Sequence, residues 1–112
     1  MKLLVCVMND VALLDEFVHE LKEKEIKGAT IINSTGMGRK LIENEDYDII
    51  GSLKSLFDIP RRDSRVILMA LEEEKIQVVL DVIEKLAGDL TKPNSGIVFT
   101  LPLDYVKGYK RQ

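Results

Sequence analysis

The sequence is poor in the residues that build disulfide scaffolds and soft-metal sites. It contains one cysteine, one histidine and no tryptophan among 112 residues. The single cysteine, Cys6, cannot form an intramolecular disulfide, which is typical of the reducing cytoplasm. No window of about 18 consecutive apolar residues is present, so we expect no membrane insertion. These absences favour a cytoplasmic protein with no metal site.

An excess of positive charge is also absent. Lysine and arginine number 16 against 19 aspartates and glutamates, which gives a formal net charge of -3. Nucleic-acid binding needs a basic field that follows the phosphate backbone, so DNA and RNA are not expected as partners. An anionic ligand would have to be bound by a local group of basic side chains and backbone amides.

The sequence has no catalytic constellation. His19 lies in a charged segment without a serine or cysteine placed as its partner, so we expect it on the surface. The three glutamates at residues 72–74 are typical of the first turn of a helix, where acidic side chains are favoured by the helix dipole. We therefore predict no catalytic residue and no enzyme activity.

Hydrophobic patterning predicts four strands and two helices. Short apolar or β-branched runs predict strands at residues 3–8, 29–32, 65–71 and 96–101. Helical spacing predicts a first helix that is capped by Asn9 or Asp10 and ends near Gly28. A second helix would begin at residues 72–74 and end at Gly88, and Pro102 would end the hydrogen-bonded part of the last strand. The residues expected on the buried face of the first helix are Leu13, Leu14, Phe17, Val18 and Leu21.

The element order predicts the fold. Strand, helix, strand, strand, helix, strand is the order of an α+β ferredoxin-like βαββαβ sandwich, with an antiparallel four-stranded sheet and both helices on one face. We treat residues 1–112 as one such domain. Residues 41–63 show no sustained period and are expected to form a long mobile loop between strands 2 and 3. The open face of the sheet needs a cover, and oligomerisation is the simplest one.

One motif follows the predicted second strand directly. It reads Thr35-Gly36-Met37-Gly38-Arg39-Lys40. Two glycines separated by one residue let the backbone turn sharply and present its amides to an anion. Arg39 adds a planar guanidinium that suits phosphate oxygens. The motif therefore indicates an anion site, and a tight turn without a ligand is the alternative interpretation.

Several motifs resemble the PII family of nitrogen-regulatory signalling proteins. Gly28-Ala29-Thr30 resembles the Gly-x-Thr of that family's second strand. The motif at Gly36 resembles the family's Gly-Phe-Gly-Arg-Gln, with methionine and lysine in place of the phenylalanine and the glutamine. Residues 96–103 resemble the family's fourth strand, Gly-Lys-Ile-Phe-Val. The chain is on these grounds identified as a divergent PII-like protein, and the element order extends the resemblance over its whole length.

The resemblance implies an assembly and a ligand. It implies a homotrimer that binds an adenine nucleotide (AMP, ADP or ATP) as an effector in the clefts between subunits. Thr30 would lie beside the base. The residues expected around the phosphates are Thr35, Gly36, Met37, Gly38, Arg39 and Lys40, with help from Arg62 or Arg65 and from Gly88 and Gly96, which remain from the family's phosphate loop.

The long loop would be the family's T-loop, which docks onto a transporter or a metabolic enzyme. A ligand would act by ordering this loop. The residues expected to contact the partner are Tyr47, Ile49, Ile50, Leu56 and Phe57. The pattern that surrounds the modified tyrosine in the family is not matched at Tyr47, so uridylylation is not predicted.

Two other kinds of protein remain compatible with this element order. One is a trimeric protein of the divalent-cation-tolerance type, which the single cysteine and single histidine disfavour. The other is an ACT-like domain that binds a small molecule without a phosphate. Arg39 discriminates against it, because an amino-acid site gains little from a phosphate cradle. The lysine of the family's last phosphate loop is Ile97 here, so binding of ATP with 2-oxoglutarate is not implied.

Overall fold

The computed structural model describes residues 1–37, 64–88 and 96–109. In chain order, its elements are β1 (Lys2–Met8), a short 3-10 turn (Val11–Leu13), α1 (Leu14–Glu23), β2 (Thr30–Ser34), β3 (Ser64–Leu71), α2 (Glu73–Ala87) and β4 (Ile97–Pro102). This order confirms the predicted α+β ferredoxin-like fold. The expectation of a mobile loop at residues 41–63 concerns a stretch outside the described residues.

The four strands form one antiparallel sheet in the order β2-β3-β1-β4. In the centre of the sheet, Leu4 of β1 lies opposite Met69 of β3 on one side and opposite Thr100 of β4 on the other. The most continuous apolar runs of the sequence are therefore the two central strands. β2 and β4 form the edges, and each keeps one side of its backbone unpaired within the described part of the chain.

Both helices pack on one face of the sheet. Phe17 of α1 and Val79 of α2 are fully buried against Leu4, Ile67 and Met69 of the central strands. At the outer surface, Lys85 Nζ of α2 lies 3.2 Å from Glu20 Oε1 of α1, an exposed ion pair that adds little to stability. Among the described residues, no helix is long and apolar enough to cross a membrane.

The C-terminal end of α1 differs from the prediction. The helix ends at Glu23 and not near Gly28. Glu25 adopts a left-handed backbone with a φ of 63°, and the N–H of Ile26 donates to the C=O of Leu21 at 2.8 Å. This is the Schellman arrangement, in which the left-handed position is usually glycine. The stop was misplaced because a glutamate rarely occupies that position.

The N-terminal end of α1 confirms one prediction and corrects another. Asp10 caps the short 3-10 turn that leads into α1, and its carboxylate accepts a hydrogen bond from the N–H of Ala12 at 3.1 Å, whereas α1 itself begins after Leu13 without a side-chain cap. Val18, however, is 43% exposed and does not belong to the buried face. Phe17 and Leu21 lie one turn apart and define that face, and Val18 is rotated by about 100° from Phe17.

Pro102 does not end the pairing of β4. It lies opposite Lys2 within the strand, and the N–H of Leu103 then donates to the C=O of Met1 at 3.2 Å. β4 is an edge strand, where a residue without an N–H is tolerated. The chain therefore continues past the proline along the end of β1 before it reaches residues 104–109.

Candidate functional site

The end of β2 carries hydroxyl groups on the open face of the sheet. Cross-strand partners share a face, so Thr30 lies beside Leu68, and Ser34 lies beside Ser64. The Ser34 and Ser64 side-chain oxygens are 2.7 Å apart. Thr30 is exposed. The end of the open face at Ser34 and Ser64 is thus polar and leads directly into the predicted anion motif, whereas Thr30 lies at the other end of β2, beyond the apolar Ile32.

The first residues of that motif are exposed. Thr35 and Gly36 follow β2, and Met37 is 80% exposed. A Cβ added to Gly36 would meet nothing within 4 Å, so packing within the described part of the chain does not require glycine there. The remaining predicted residues lie outside the described residues: Gly38, Arg39, Lys40, Arg62 and the partner-binding set Tyr47, Ile49, Ile50, Leu56 and Phe57.

Arg65 is placed on the other face of the sheet. It lies opposite Asn33 of β2 and Met8 of β1, on the side of the helices. Its guanidinium Nη1 donates to the C=O of Ser64 at 3.0 Å. The strand register therefore puts Arg65 and Thr30 on opposite faces, although both belong to the β2–β3 pair.

Gly88 ends the second helix as the sequence predicted, and Gly96 has a backbone role that the sequence interpretation did not assign. Gly88 ends α2 with φ 72° and ψ −140°, and its N–H donates to the C=O of Glu84 at 3.0 Å. Gly96 has φ 109°, and a Cβ at this position would lie 2.3 Å from the carbonyl oxygen of Val7. Both conformations favour glycine, and Gly96 also lets the start of β4 approach β1 closely.

The open face of the sheet is apolar along most of its area. The register places ten apolar residues on it: Leu3, Val5, Val7, Ile32, Val66, Leu68, Ala70, Ile97, Phe99 and Leu101. Val5, in the centre, is only 8% exposed although it is not part of the core beneath the helices. Toward the β4 edge, Ile97, Phe99 and Leu101 are each 43–55% exposed. An apolar face of this extent is typical of a surface that binds another protein chain.

The single cysteine is buried, and the single histidine lies on the surface. Burial raises the pKa of the Cys6 thiol to about 11, so it remains protonated and is a poor nucleophile at neutral pH. His19 contacts Glu23 at 3.7 Å on the exposed side of α1. Across residues 1–37, 64–88 and 96–109, no group of three or more histidine, cysteine or carboxylate side chains is placed to hold a metal ion.

Comparison with known proteins identifies the family. The family model described as nitrogen regulatory protein P-II matches residues 1–112, which is the whole chain. No individually curated protein matches the sequence. The matched family and the observed βαββαβ order agree with the motifs at Gly28, Gly36 and Gly96. The chain belongs to the nitrogen regulatory protein P-II family.

Proposed function

We propose that this protein is a non-catalytic signalling protein of the cytoplasm. It binds an adenine nucleotide and controls a partner protein, a transporter or a metabolic enzyme, through residues 41–63. The family match over residues 1–112 supports the regulatory role in nitrogen metabolism. The buried, protonated Cys6 and the surface position of His19 give no support to a catalytic alternative.

The working form is proposed to be a homotrimer that buries the open face of each sheet. The supporting observation is the apolar composition of that face, with Phe99 43% exposed and Ile97 55% exposed in the single chain. Burial of apolar surface stabilises an assembly by roughly 25 cal/mol for each Å² that is removed from water. A closed ring of three copies would cover every open face and leave the helices toward solvent.

The nucleotide is proposed to bind where β2 ends. The observation that carries this proposal is the polar end of the open face, where Ser34 and Ser64 lie next to the exposed Thr35-Gly36, while the exposed Thr30 lies at the start of the same strand. Hydroxyl groups and exposed backbone amides donate hydrogen bonds, which the oxygens of phosphate and ribose accept. In this assignment Thr30 contacts the base, and Arg39 supplies the main charge to the phosphates.

Calorimetric titration with AMP, ADP and ATP tests the nucleotide site. Arg39→Ala should weaken binding by about 1.5–3 kcal/mol, or one to two decades in affinity, because a charge-assisted hydrogen bond is lost. Lys22→Ala is the matched control, since Lys22 is an exposed cation on α1, beneath the opposite face of the sheet. Equal affinities for the wild type and Arg39→Ala, or no binding by either, would refute the nucleotide site and leave residues 36–39 as a turn.

A further inference from the structure

A separate cleft lies at the opposite end of β2 from the anion motif. It is formed where α1 leads into β2 and where β3 leads into α2, and its volume is about 410 Å³. Glu25 to Gly28 form one wall, and the other is formed by Leu71, Glu72, Glu74 and Lys75. Gly108 and Tyr109 of the C-terminal segment form a third side. This volume lies in the range of small-molecule sites.

The base of the cleft is apolar. Ile26 and Leu71 line it and are 7% and 4% exposed, so they belong to the core. Ala70 also lines it, and the ring of Tyr109 stands at the side with 37% exposure. A ligand that fills the cleft would therefore place apolar atoms against these residues.

The rim of the cleft carries charges of both signs. Glu25, Glu72 and Glu74 bring carboxylates, and Lys27 and Lys75 bring ammonium groups. Glu72 has an interaction of its own, and within the part of the chain that the structure describes the other four form no ion pair with another residue. The amides of the first turn of α2 add partial positive charge at the side of Lys75. Positive and negative side chains without ion-pair partners thus surround one apolar base. This arrangement suits a ligand that carries both a positive and a negative charge.

We propose that this cleft binds a free α-amino acid with an apolar side chain. The α-ammonium pairs with the carboxylates of Glu25 and Glu74. The α-carboxylate pairs with Lys75 and Lys27 and faces the N-terminus of α2. The side chain packs on Ile26 and Leu71. A plain amine or a plain carboxylate satisfies only one of the two sets of charges, so recognition requires the zwitterion.

The consequence is a second effector site on a signalling chain. An amino acid bound here contacts the connection that enters β2 as well as the turn that leaves β3, the two strands that bound residues 35–63. The proposal does not depend on nucleotide binding, because neither Thr30 nor the motif at Gly36 lines the cleft, although Gly28, two residues before Thr30, does.

Titration with matched small molecules tests the proposal. L-leucine, L-valine and L-phenylalanine are titrated calorimetrically into the full chain, together with 4-methylpentanoate and 3-methylbutylamine, which are leucine without its amino group and without its carboxylate. At least one of the three amino acids should bind, and each leucine analogue should bind at least about tenfold more weakly than leucine. Absence of binding by all three amino acids at millimolar concentration overturns the proposal, and so does equal binding of leucine and its analogues.

Single charge removals locate the site. Glu74→Gln and Lys75→Gln should each weaken amino-acid binding by about 10- to 100-fold. Glu73→Gln is the matched control, because Glu73 is exposed in the same helical turn but does not line the cleft. Arg39→Ala should leave amino-acid binding unchanged, whereas it should weaken nucleotide binding. Equal affinities in the Glu73, Glu74 and Lys75 variants, or displacement of the amino acid by AMP, overturn the assignment.

Discussion

The side-chain oxygens of Ser34 and Ser64 lie 2.7 Å apart at the last register position that β2 and β3 share. Ser64 is only 9% exposed, and its hydroxyl also lies 3.2 Å from the C=O of Ser34. Two hydroxyls that hydrogen-bond to each other can lie on an apolar face without leaving a buried polar group unpaired. The pair therefore fixes the spacing of the two strands at the point where Thr35 begins the anion motif.

Ser64→Ala should lower the free energy of unfolding by about 1 kcal/mol, because the hydrogen bond between the two strands is lost. Ser34→Ala should cost less, since Ser34 is more exposed and Ser64 keeps the Ser34 carbonyl as a partner. A double-mutant cycle in urea should give a coupling free energy of about 0.5–1.5 kcal/mol between the two residues. Strictly additive single effects would show that the hydroxyl contact contributes nothing to stability.

Gly96→Ala should destabilise the fold by at least about 2 kcal/mol. The new Cβ would meet the carbonyl oxygen of Val7 at 2.3 Å, and backbone atoms cannot move aside as a flexible side chain can. The φ of 109° adds strain of about 1–3 kcal/mol for any residue with a Cβ. Thermal unfolding of the variant measures the combined loss of stability from the steric contact and the backbone strain.

Gly88→Ala is the matched control for Gly96. Gly88 also has a positive φ, of 72°, but its added Cβ would meet nothing within 4 Å. Only the backbone strain should then appear, at about 1–3 kcal/mol. A loss at Gly88 that equals or exceeds the loss at Gly96 would contradict the close approach of β4 to β1.

Glu25→Gly should stabilise the protein by about 0.5–1 kcal/mol. Glu25 holds the left-handed position of the turn that ends α1, where its N–H donates to the C=O of Lys22 at 3.0 Å. Glycine removes the strain of that backbone and loses part of the gain through the greater entropy of its unfolded state. Lys24→Gly is the control. Lys24 has an ordinary negative φ of −90°, so glycine relieves no strain there and should only destabilise the protein. Urea unfolding of both variants measures whether the free energy of unfolding rises for Glu25→Gly and falls for Lys24→Gly.

The central strands and the second helix were predictable because their signals are local. Residues 65–71 form an uninterrupted apolar run, and Gly88 ends α2 as glycine usually does. The end of α1 was not predictable, because the left-handed residue is Glu25 and the glycine three positions later looked like the stop. Tertiary packing, and not residue preference, decides where that helix ends.

The candidate sites were predictable in unequal parts. The motif at Gly36 predicted an anion site after β2, which stays a prediction, and no local pattern indicated that Arg65 faces the helices. The cleft was missed because Glu25, Leu71 and Tyr109 come from three distant segments of the chain. The fold brings these segments together, and no local sequence pattern indicates that residues so distant in the chain lie close in space. The backbone role of Gly96 was likewise hidden, since its neighbour Val7 is distant in sequence.

Stability should fall at alkaline pH because of Cys6. Burial raises the pKa of its thiol from 9.0 to about 11, so the folded state retains a proton that the unfolded state releases. The resulting stabilisation is complete below pH 9 and is lost as the pH rises from 9 to 11. Urea unfolding between pH 8 and pH 10.5 should show this decline, and Cys6→Ala should show less of it. An identical pH dependence in both proteins would contradict the assignment to Cys6.

The last prediction concerns assembly through the open face. Phe99 and Val18 are both 43% exposed in the single chain, but Phe99 lies on the open face and Val18 lies on the helix side. Phe99→Asp should convert the trimer into monomers, since a carboxylate buried in an apolar interface costs several kcal/mol. Val18→Asp should leave the trimer intact. Light scattering at micromolar concentration should give three times the 12.7 kDa chain mass for the wild type and Val18→Asp, and the single mass for Phe99→Asp. A monomeric wild type, or dissociation of Val18→Asp with an intact Phe99→Asp trimer, would show that the open face is not the interface.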